Sequence, residues 1–404
     1  LQTKLEGNIM KSISKKVMAG LLVGATSLSI WAPASQAAAP ENNRYYSVHL
    51  AADTALKWDV YGNGTYDDAG ILLYNGSLGD NEQFVFFPLD GGLYAIVNKN
   101  SGKAVTIGGG WVGDNAFSYN REGLIQSKWT GAAANKWYLR DKGNTNYEIV
   151  NQGYGKVASY ARLGITGAKY VDLDDSNPSD NDRLFRINKS PLGVDIPGFN
   201  FDYGTFSLPQ LPATGNRPDA PNYTGGIDQQ LPQTSNSVIV GASLVPCIMV
   251  NDSQASDYTK IHNSPYYTLV KEEYWDKTFS AVLPAGITRN YSFKTGMTSV
   301  DQQKMTDTLS MKIGADFGLK FGDASASLKT EISRTIQTEI TSTNTEASEE
   351  TVTSTVASEA GKTTGFTEYQ LATKYTLKRA DGSIVSDPWV VKNNKITIAR
   401  KNAQ

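Results

Sequence analysis

Nonpolar and polar residues alternate along the chain on both sides of Gly322-Asp323. Glycine at the first position of a two-residue loop suits a type II′ turn, so the pattern predicts a β-hairpin over residues 312–333. Apart from Thr330, one face of this hairpin holds only nonpolar side chains, namely Ile313, Ala315, Phe317, Leu319, Phe321, Ala324, Ala326, Leu328 and Ile332. The other face holds the charged side chains of Lys312, Asp316, Lys320, Lys329 and Glu331.

This two-faced pattern fits two environments. A strand of a transmembrane barrel alternates lipid-facing and lumen-facing residues, and it needs about 9 to 11 residues to cross the hydrocarbon. A hairpin that covers the core of a soluble β-sandwich alternates in the same way, with its nonpolar residues inward. Alternation reports burial and not the identity of the solvent, so the pattern alone leaves both interpretations open.

Residues 10–37 are typical of an export signal, and residues 1–9 precede Met10, the expected initiator. Lysines after Met10 are followed by a nonpolar run over 17–30 and by Ser35-Gln36-Ala37, an A-x-A-like cleavage sequence. We expect cleavage after Ala37 and secretion, and we expect residues 1–9 to lie outside the folded protein. The nonpolar run is shorter than the roughly 18 residues of a spanning helix, so any entry into a membrane must use strands.

Composition narrows the function classes. A net charge of -2 and 10% aromatic residues argue against disorder and against a nucleic-acid partner. One cysteine and two histidines supply a metal site or a histidine-based catalytic site poorly. We therefore expect no cofactor, no metal and no enzymatic reaction.

A weak internal repeat runs through residues 38–189. The sequence Tyr-Ala-Ile-Val-Asn at 94–98 recurs 53 residues later as Tyr-Glu-Ile-Val-Asn at 147–151. Short aromatic and β-branched runs separated by Gly and Asn turns fill the units. Three units of this length predict a closed β-barrel with three-fold symmetry.

The first unit resembles the sugar site of the ricin-type β-trefoil lectins. Asp59, Tyr74 and the sequence Asn81-Glu82-Gln83-Phe84 stand in the family's order, although Phe84 replaces its tryptophan. The resemblance implies that carbohydrate is bound by Asp59, Tyr74, Asn81 and Gln83. A carboxylate and an amide can hold sugar hydroxyls while an aromatic ring covers the nonpolar sugar face.

The other two units depart from this pattern. Thr106 stands in the aspartate's place in the second unit, where Trp129 remains a candidate platform, and Arg183 interrupts the motif of the third. We expect one working sugar site at most. A trefoil that serves only as a scaffold, with Asn81 and Gln83 holding turns, remains the alternative.

Residues 190–236 are rich in Pro and Gly, which predicts a domain boundary or a linker bound along the surface. Beyond it, Leu-Val-Pro-Cys-Ile-Met-Val-Asn-Asp at 244–252, followed by Tyr274-Trp275, resembles the binary-toxin-like insecticidal proteins of bacilli. The resemblance implies an all-β fold in which an N-terminal β-trefoil precedes an elongated aerolysin-like β-sheet pore-forming domain over 237–404.

It also implies a function, namely that of a secreted, insecticidal pore-forming toxin. Such a toxin binds a glycan or glycoprotein receptor through its trefoil, forms a homo-oligomer and inserts the hairpin into the target-cell membrane. Several members of the family work in pairs, so a second toxin component is a further expected partner. A secreted glycan-binding adhesin without pore activity is the alternative. A polysaccharide-degrading enzyme would need a carboxylate pair in a cleft, which 237–404 does not suggest.

Overall fold

A computed structural model of the protein describes residues 39–76, 78–108, 122–163, 167–188, 205–338 and 345–404. The predicted export signal and its cleavage point after Ala37 lie outside these residues. Within the described ranges, no helix is both long enough and nonpolar enough to cross a membrane.

The N-terminal part of the described chain forms a β-trefoil. Its twelve described strands are β1 Tyr45–Leu50, β2 Lys57–Val60, β3 Ala69–Tyr74, β4 Phe84–Pro88, β5 Leu93–Asn98, β6 Ala104–Ile107, β7 Leu124–Ser127, β8 Trp137–Asp141, β9 Asn146–Asn151, β10 Val157–Arg162, β11 Lys169–Asp174 and β12 Phe185–Asn188. Strands β1, β4, β5, β8, β9 and β12 pair in a closed ring. The hairpins β2–β3, β6–β7 and β10–β11 complete the three units, and β3 joins both β7 and β11.

Aromatic residues from all three units fill the trefoil core. Trp58, Phe84, Trp137 and Phe185 are fully buried. The ring of Trp58 lies edge-on to Phe84 at 5.8 Å and to Phe185 at 5.6 Å. Phe84, which replaces the family's tryptophan, is therefore a core residue.

A second sheet follows. Its six strands in the described residues are β13 Val238–Pro246, β14 Tyr266–Leu283, β15 Thr288–Met297, β18 Glu350–Ala357, β19 Thr364–Lys378 and β20 Trp389–Ala403, in the order β13-β14-β19-β20-β15-β18. Between them lie α1 Asp257–Asn263, α2 Ser299–Leu309, β16 Met311–Ile313, β17 Leu319–Phe321 and α3 Lys329–Thr335. The 18 residues of β14 extend over about 60 Å, so this sheet is elongated. The predicted all-β architecture, a trefoil followed by a β-sheet domain, is confirmed.

Residues 205–237, which we call the strap, lie along this sheet. The indole N–H of Trp275 donates to the carbonyl of Pro218 at 2.8 Å, and the hydroxyl of Tyr369 donates to the carbonyl of Pro232 at 2.7 Å. Prolines cannot donate to a ladder, but their carbonyls here accept hydrogen bonds from side chains of the sheet. This part of the predicted linker is bound to the surface.

One nonpolar core joins the trefoil to the second sheet. Val85 and Phe87 of the trefoil are fully buried in the same cluster as Leu269 of β14 and Met305 of α2. The β16–β17 pair and α3 contribute to this cluster as well. The trefoil therefore covers part of the region that contains the predicted hairpin.

Residues 312–333 do not form the predicted hairpin. Strand β16 pairs with β17, so that Lys312 lies opposite Lys320 and Ile313 lies opposite Leu319, and the chain reverses over 314–318. After β17 a turn leads into a 3-10 helix and then into α3. The expected pairing of residues across a turn at Gly322-Asp323 is wrong for this structure.

Two local causes explain the difference. The N–H of Gly314 donates to the carbonyl of Gly318 at 2.8 Å, and the carboxylate of Asp316 accepts from the N–H of Gly318 at 3.2 Å, which closes an earlier reversal. Leu328 and Ile332 are four residues apart, a spacing that places side chains on one face of a helix as well as of a strand. The spacing of this pair therefore fits α3, whose N-cap is Leu328, as well as a strand.

Candidate functional site

Strands β2 and β3 display the first part of the candidate sugar site. Asp59 pairs with Leu72 and Lys57 pairs with Tyr74, so these four side chains share one face of the hairpin. The alternate residues, including Trp58, point into the trefoil core. The core thereby fixes the orientation of the polar face.

A one-turn 3-10 helix, Asp80–Glu82, brings Asn81 to this face. The amide nitrogen of Asn81 donates to a carboxylate oxygen of Asp59 at 3.1 Å and to the carbonyl of Val60 at 3.3 Å. Asp59 and Asn81 are buried, whereas the neighbouring Tyr74 is 56% exposed. The structure thus brings together a carboxylate, an amide and an accessible ring, the groups that suit a sugar.

Gln83 has a different position. Its amide nitrogen donates to the carbonyl of Gly79 at 3.3 Å and to the carboxylate of Asp80 at 3.4 Å. Its amide oxygen accepts from the ammonium of Lys99 at 3.3 Å. These contacts hold the turn that carries Asn81. Gln83 therefore positions Asn81 and does not itself join the cluster of Asp59 and Asn81.

Two charged neighbours of the candidate sugar site, Lys57 and Glu82, were not predicted from the sequence. The ammonium of Lys57 lies 3.2 Å from the carboxylate of Glu82 and donates to the carbonyl of Gly76 at 2.7 Å. Burial raises the pKa of Asp59 to about 7, and the negative charge of Glu82 acts in the same direction. The clues were positional, since Lys57 is two residues before Asp59 on one strand and Glu82 directly follows Asn81.

The equivalent positions of the other units are arranged differently. In the second unit the hydroxyl of Thr106 donates to the carbonyl of Ala134 at 3.2 Å, and Trp129 is only 5% exposed. In the third unit the guanidinium of Arg183 pairs with Asp174 at 2.9 Å. The contacts that assemble the candidate sugar site in the first unit are therefore replaced by other contacts at these positions.

The second candidate region is residues 298–349, which we call the insert and of which the structure describes 298–338 and 345–349. It leaves the sheet at the end of β15 and returns at the start of β18, and these strands pair from Thr288 opposite Ala357 to Thr295 opposite Glu350. Nonpolar residues of the predicted hairpin contribute to the shared core from within the insert. Ile313, Leu319, Leu328 and Ile332 are buried, and Ala315, Phe317, Phe321, Ala324 and Ala326 are half-buried.

Comparisons with known proteins cover both domains. A family described as Insecticidal Crystal Toxin, P42 matches residues 238–401, and one described as ricin-type beta-trefoil lectin domain-like matches residues 80–164. Binary larvicide subunit BinA of Lysinibacillus sphaericus is 30% identical over 323 residues, which cover 80% of this chain and 81% of that protein. Binary larvicide subunit BinB of the same organism is 27% identical over 77% of this chain and 68% of its own.

Insecticidal crystal protein Cry35Ab1 of Bacillus thuringiensis is 26% identical over 71% of this chain and 73% of its own. The crystal structure of Cry35Ab1 matches with a TM-score of 0.73 at 20% identity and covers 89% of this chain and 90% of that one, which shows a common fold. Because its identity to BinA extends over most of both sequences, the chain belongs to the family of insecticidal binary toxins that the sequence resemblance predicted.

Proposed function

We propose that this protein is a secreted pore-forming toxin. It binds glycans on a target cell through Asp59, Tyr74 and Asn81, forms a homo-oligomer, and inserts a hairpin from the insert into the membrane. The observation that carries the proposal is the register of β15 with β18, because these strands form the open end of a hairpin whose remainder is the insert.

If the register of β15 with β18 continued inward, the turn of that hairpin would lie at Gly322-Asp323. Each step inward from Thr295 opposite Glu350 moves one residue along each strand, and the two strands then meet at 322 and 323. Phe321 would therefore lie opposite Ala324. Alternation predicts the same pairing on independent grounds, and this agreement supports a second, extended arrangement of the insert.

Within residues 312–333, the extended hairpin would also keep its two faces separate. Tyr291 and Phe293 of β15 would share a face with the nonpolar residues of the first strand of the predicted hairpin, because all of them stand at odd positions. In this register, the even-numbered nonpolar residues of the second strand lie opposite them on the same face. Lys312 and Asp316 would face the lumen. Arg334, on the lipid face, would lie just beyond the membrane-crossing length, where a charge costs about 0 to 1 kcal/mol.

Oligomerisation follows from the chemistry of the strand edges. A single hairpin in lipid leaves backbone N–H and C=O groups unpaired along both edges, and each costs several kcal/mol. A ring of subunits that each contribute one hairpin removes these edges. We also propose a second toxin component as a partner, since the relatives BinA and BinB are each described as a subunit of a binary larvicide.

A disulfide across the β16–β17 pair tests insertion. Lys312 lies opposite Lys320 in the resting structure, but in the extended hairpin the two stand on one strand, about 26 Å apart. The assay is dye release from vesicles prepared from insect-larval gut membranes, which we call gut vesicles. The double variant Lys312→Cys, Lys320→Cys should lose this release when oxidised and regain it on reduction.

The matched control ties two residues that stay opposite each other in both arrangements. The hydroxyls of Ser292 and Thr353 lie 3.0 Å apart across β15 and β18, on an exposed face. The double variant Ser292→Cys, Thr353→Cys should release dye equally well when oxidised and when reduced. Full release by the oxidised 312–320 variant would overturn the proposed insertion.

Glycan binding is tested separately from lysis. Tyr74→Ala removes an exposed ring and should abolish retention on a glycan array while thermal unfolding stays unchanged. Retention equal to that of the parent protein would refute the sugar site. Glycan binding without dye release in any condition would favour the adhesin.

A further inference from the structure

The second trefoil unit contacts the turn of the proposed hairpin directly. The first unit exposes Tyr74 to solvent, whereas the second buries Trp129 in the core that it shares with the insert. The indole N–H of Trp129 donates to the carbonyl of Ala324 at 2.7 Å. The residue that resembled a sugar platform in the sequence thus binds a peptide group of the same chain.

Gly131 completes this contact. Its φ is +74°, and a Cβ at this position would lie 2.2 Å from the carbonyl oxygen of Asp323 and 2.7 Å from the Cα of Ala324. Such distances cannot be tolerated, so the backbone of 323–324 approaches closely because residue 131 has no side chain. The second unit and the turn fit each other at the level of their backbones.

The loop that carries Trp129 and Gly131 is itself fixed. The side-chain oxygen of Asn135, the counterpart of Asn81, accepts from the N–H of Thr130 at 3.2 Å and from its hydroxyl at 2.7 Å. The asparagine that contacts the aspartate of the sugar site in the first unit therefore holds a loop in the second. That loop is the one that contacts the insert.

Other residues of the insert also hold the turn. The N–H of Gly322 donates to the carbonyl of Ser310 at 2.6 Å, and the hydroxyl of Ser325 donates to the carbonyl of Leu309 at 2.6 Å. An extended hairpin would need to break both hydrogen bonds, because Ser310 and Leu309 would then lie in the first strand, far from the turn. The contact with Trp129 stabilises the folded arrangement of the insert.

We infer that the second trefoil unit is a binding site for the protein's own 322–324 turn and that it restrains the insert until the toxin is activated. The role in restraint rests on the proposed function, whereas the binding itself does not. Opening requires the turn to leave Trp129 before the strands can extend. The trefoil then serves both attachment, through its first unit, and restraint, through its second.

The test compares two glycine substitutions at positions with a similar positive φ, so that alanine strains the backbone to a similar degree in both. Gly131→Ala adds a Cβ that collides with 323–324, whereas Gly155→Ala adds one at a similar φ of +67° with nothing within 4 Å. The amide of Ser325 donates to the carbonyl of Gly322 at 3.0 Å, so its hydrogen exchange in the soluble, full-length protein reports the state of the turn. Gly131→Ala should speed this exchange by about tenfold or more relative to Gly155→Ala.

Lysis provides the second readout. Gly131→Ala should also release dye from gut vesicles faster than Gly155→Ala does. Equal exchange in the two variants would overturn the binding site, and faster exchange with unchanged lysis would overturn its restraining role. If the parent protein releases no dye at all, the proposed function fails, yet the exchange comparison still decides whether the turn is bound.

A second variant covers the case in which Gly131→Ala does not fold. Trp129→Phe keeps a large ring in the core but removes the indole N–H that binds Ala324. It should speed exchange at Ser325, and an unchanged rate would count against the inference. Trp137→Phe is its control, since the indole of Trp137 donates instead to the carbonyl of Val105 inside the trefoil.

Discussion

A positive charge on the lipid face of the extended hairpin should block the pore while leaving the soluble protein folded. Ala315 is the best position for this change. Its side chain is half-buried in the resting structure, so an arginine there can reach solvent. In the extended register it lies opposite Thr330, near the middle of the membrane-crossing part.

The expected size follows from the depth of the residue. An arginine on the lipid face costs about 2 to 4 kcal/mol at the bilayer midplane. Since 1.4 kcal/mol corresponds to a factor of ten, Ala315→Arg should disfavour insertion about 30-fold to 700-fold per hairpin. A ring of subunits repeats this cost in each copy, so the loss of activity should exceed the single-hairpin figure.

Dye release from gut vesicles, measured against toxin concentration, is the assay. The control is Glu331→Arg, which puts the same side chain at nearly the same depth but on the lumen face. Glu331 is exposed on α3 in the resting state, so this variant should fold and lyse normally. Thermal unfolding of both variants checks the soluble state. Equal activity of the two variants would refute the assignment of the faces.

Three further predictions concern binding and stability. Glycan affinity should rise with pH through about 7, because burial and Glu82 raise the pKa of Asp59 to about 7 and the ionised carboxylate is the better acceptor for sugar hydroxyls. Asp59→Asn should remove this pH dependence from an affinity titration, and it should be more stable than the parent above that pH, where the parent carries a buried charge that its unfolded chain holds in water. Arg379→Met should lower the free energy of unfolding in urea by about 3 to 5 kcal/mol, because it leaves the buried carboxylate of Asp252 without its bidentate partner.

Each of these has an outcome that contradicts it. A flat affinity profile in the parent protein would mean that Asp59 does not titrate in contact with the ligand. A stability difference between Asp59→Asn and the parent that stays constant across the pH range would remove the charge argument. For Arg379→Met, a loss below about 1 kcal/mol would place it among ordinary surface substitutions.

Much of the trefoil could be predicted from its sequence, because three similar units must solve the same packing problem. Asp59, Tyr74 and Asn81 come together as expected, since β2–β3 pairing and a short turn fix them locally. Gln83 could not be placed in this way, because its partner Lys99 belongs to a different strand connection. The burial of Glu82 could not be predicted either, because hydrophobic patterns assign charged residues to the surface.

In the insert, the alternation of nonpolar and polar residues does not determine where the chain turns. Ile313 and Leu319 remain on one face whether the chain turns at 314–318 or at 322–323, because their separation is even. The sequence is therefore compatible with both arrangements, and long-range contacts select one. Trp129 and Ala324 are 195 residues apart, and no local pattern reveals a partner at that distance.

Under the proposed function, the core shared by the two domains determines where opening of the insert would lead to a pore. Departure of the insert would expose Trp129, which contacts Ala324, and neighbouring nonpolar side chains of the shared core to water, at a penalty of about 25 cal/mol for each Å² of nonpolar surface. A molecule that opens in solution would expose a nonpolar patch and would aggregate with other opened molecules. A molecule that opens next to other bound subunits on a cell could bury the same nonpolar surface against protein or lipid. A high density of bound subunits on the cell surface would thus favour pore assembly over aggregation.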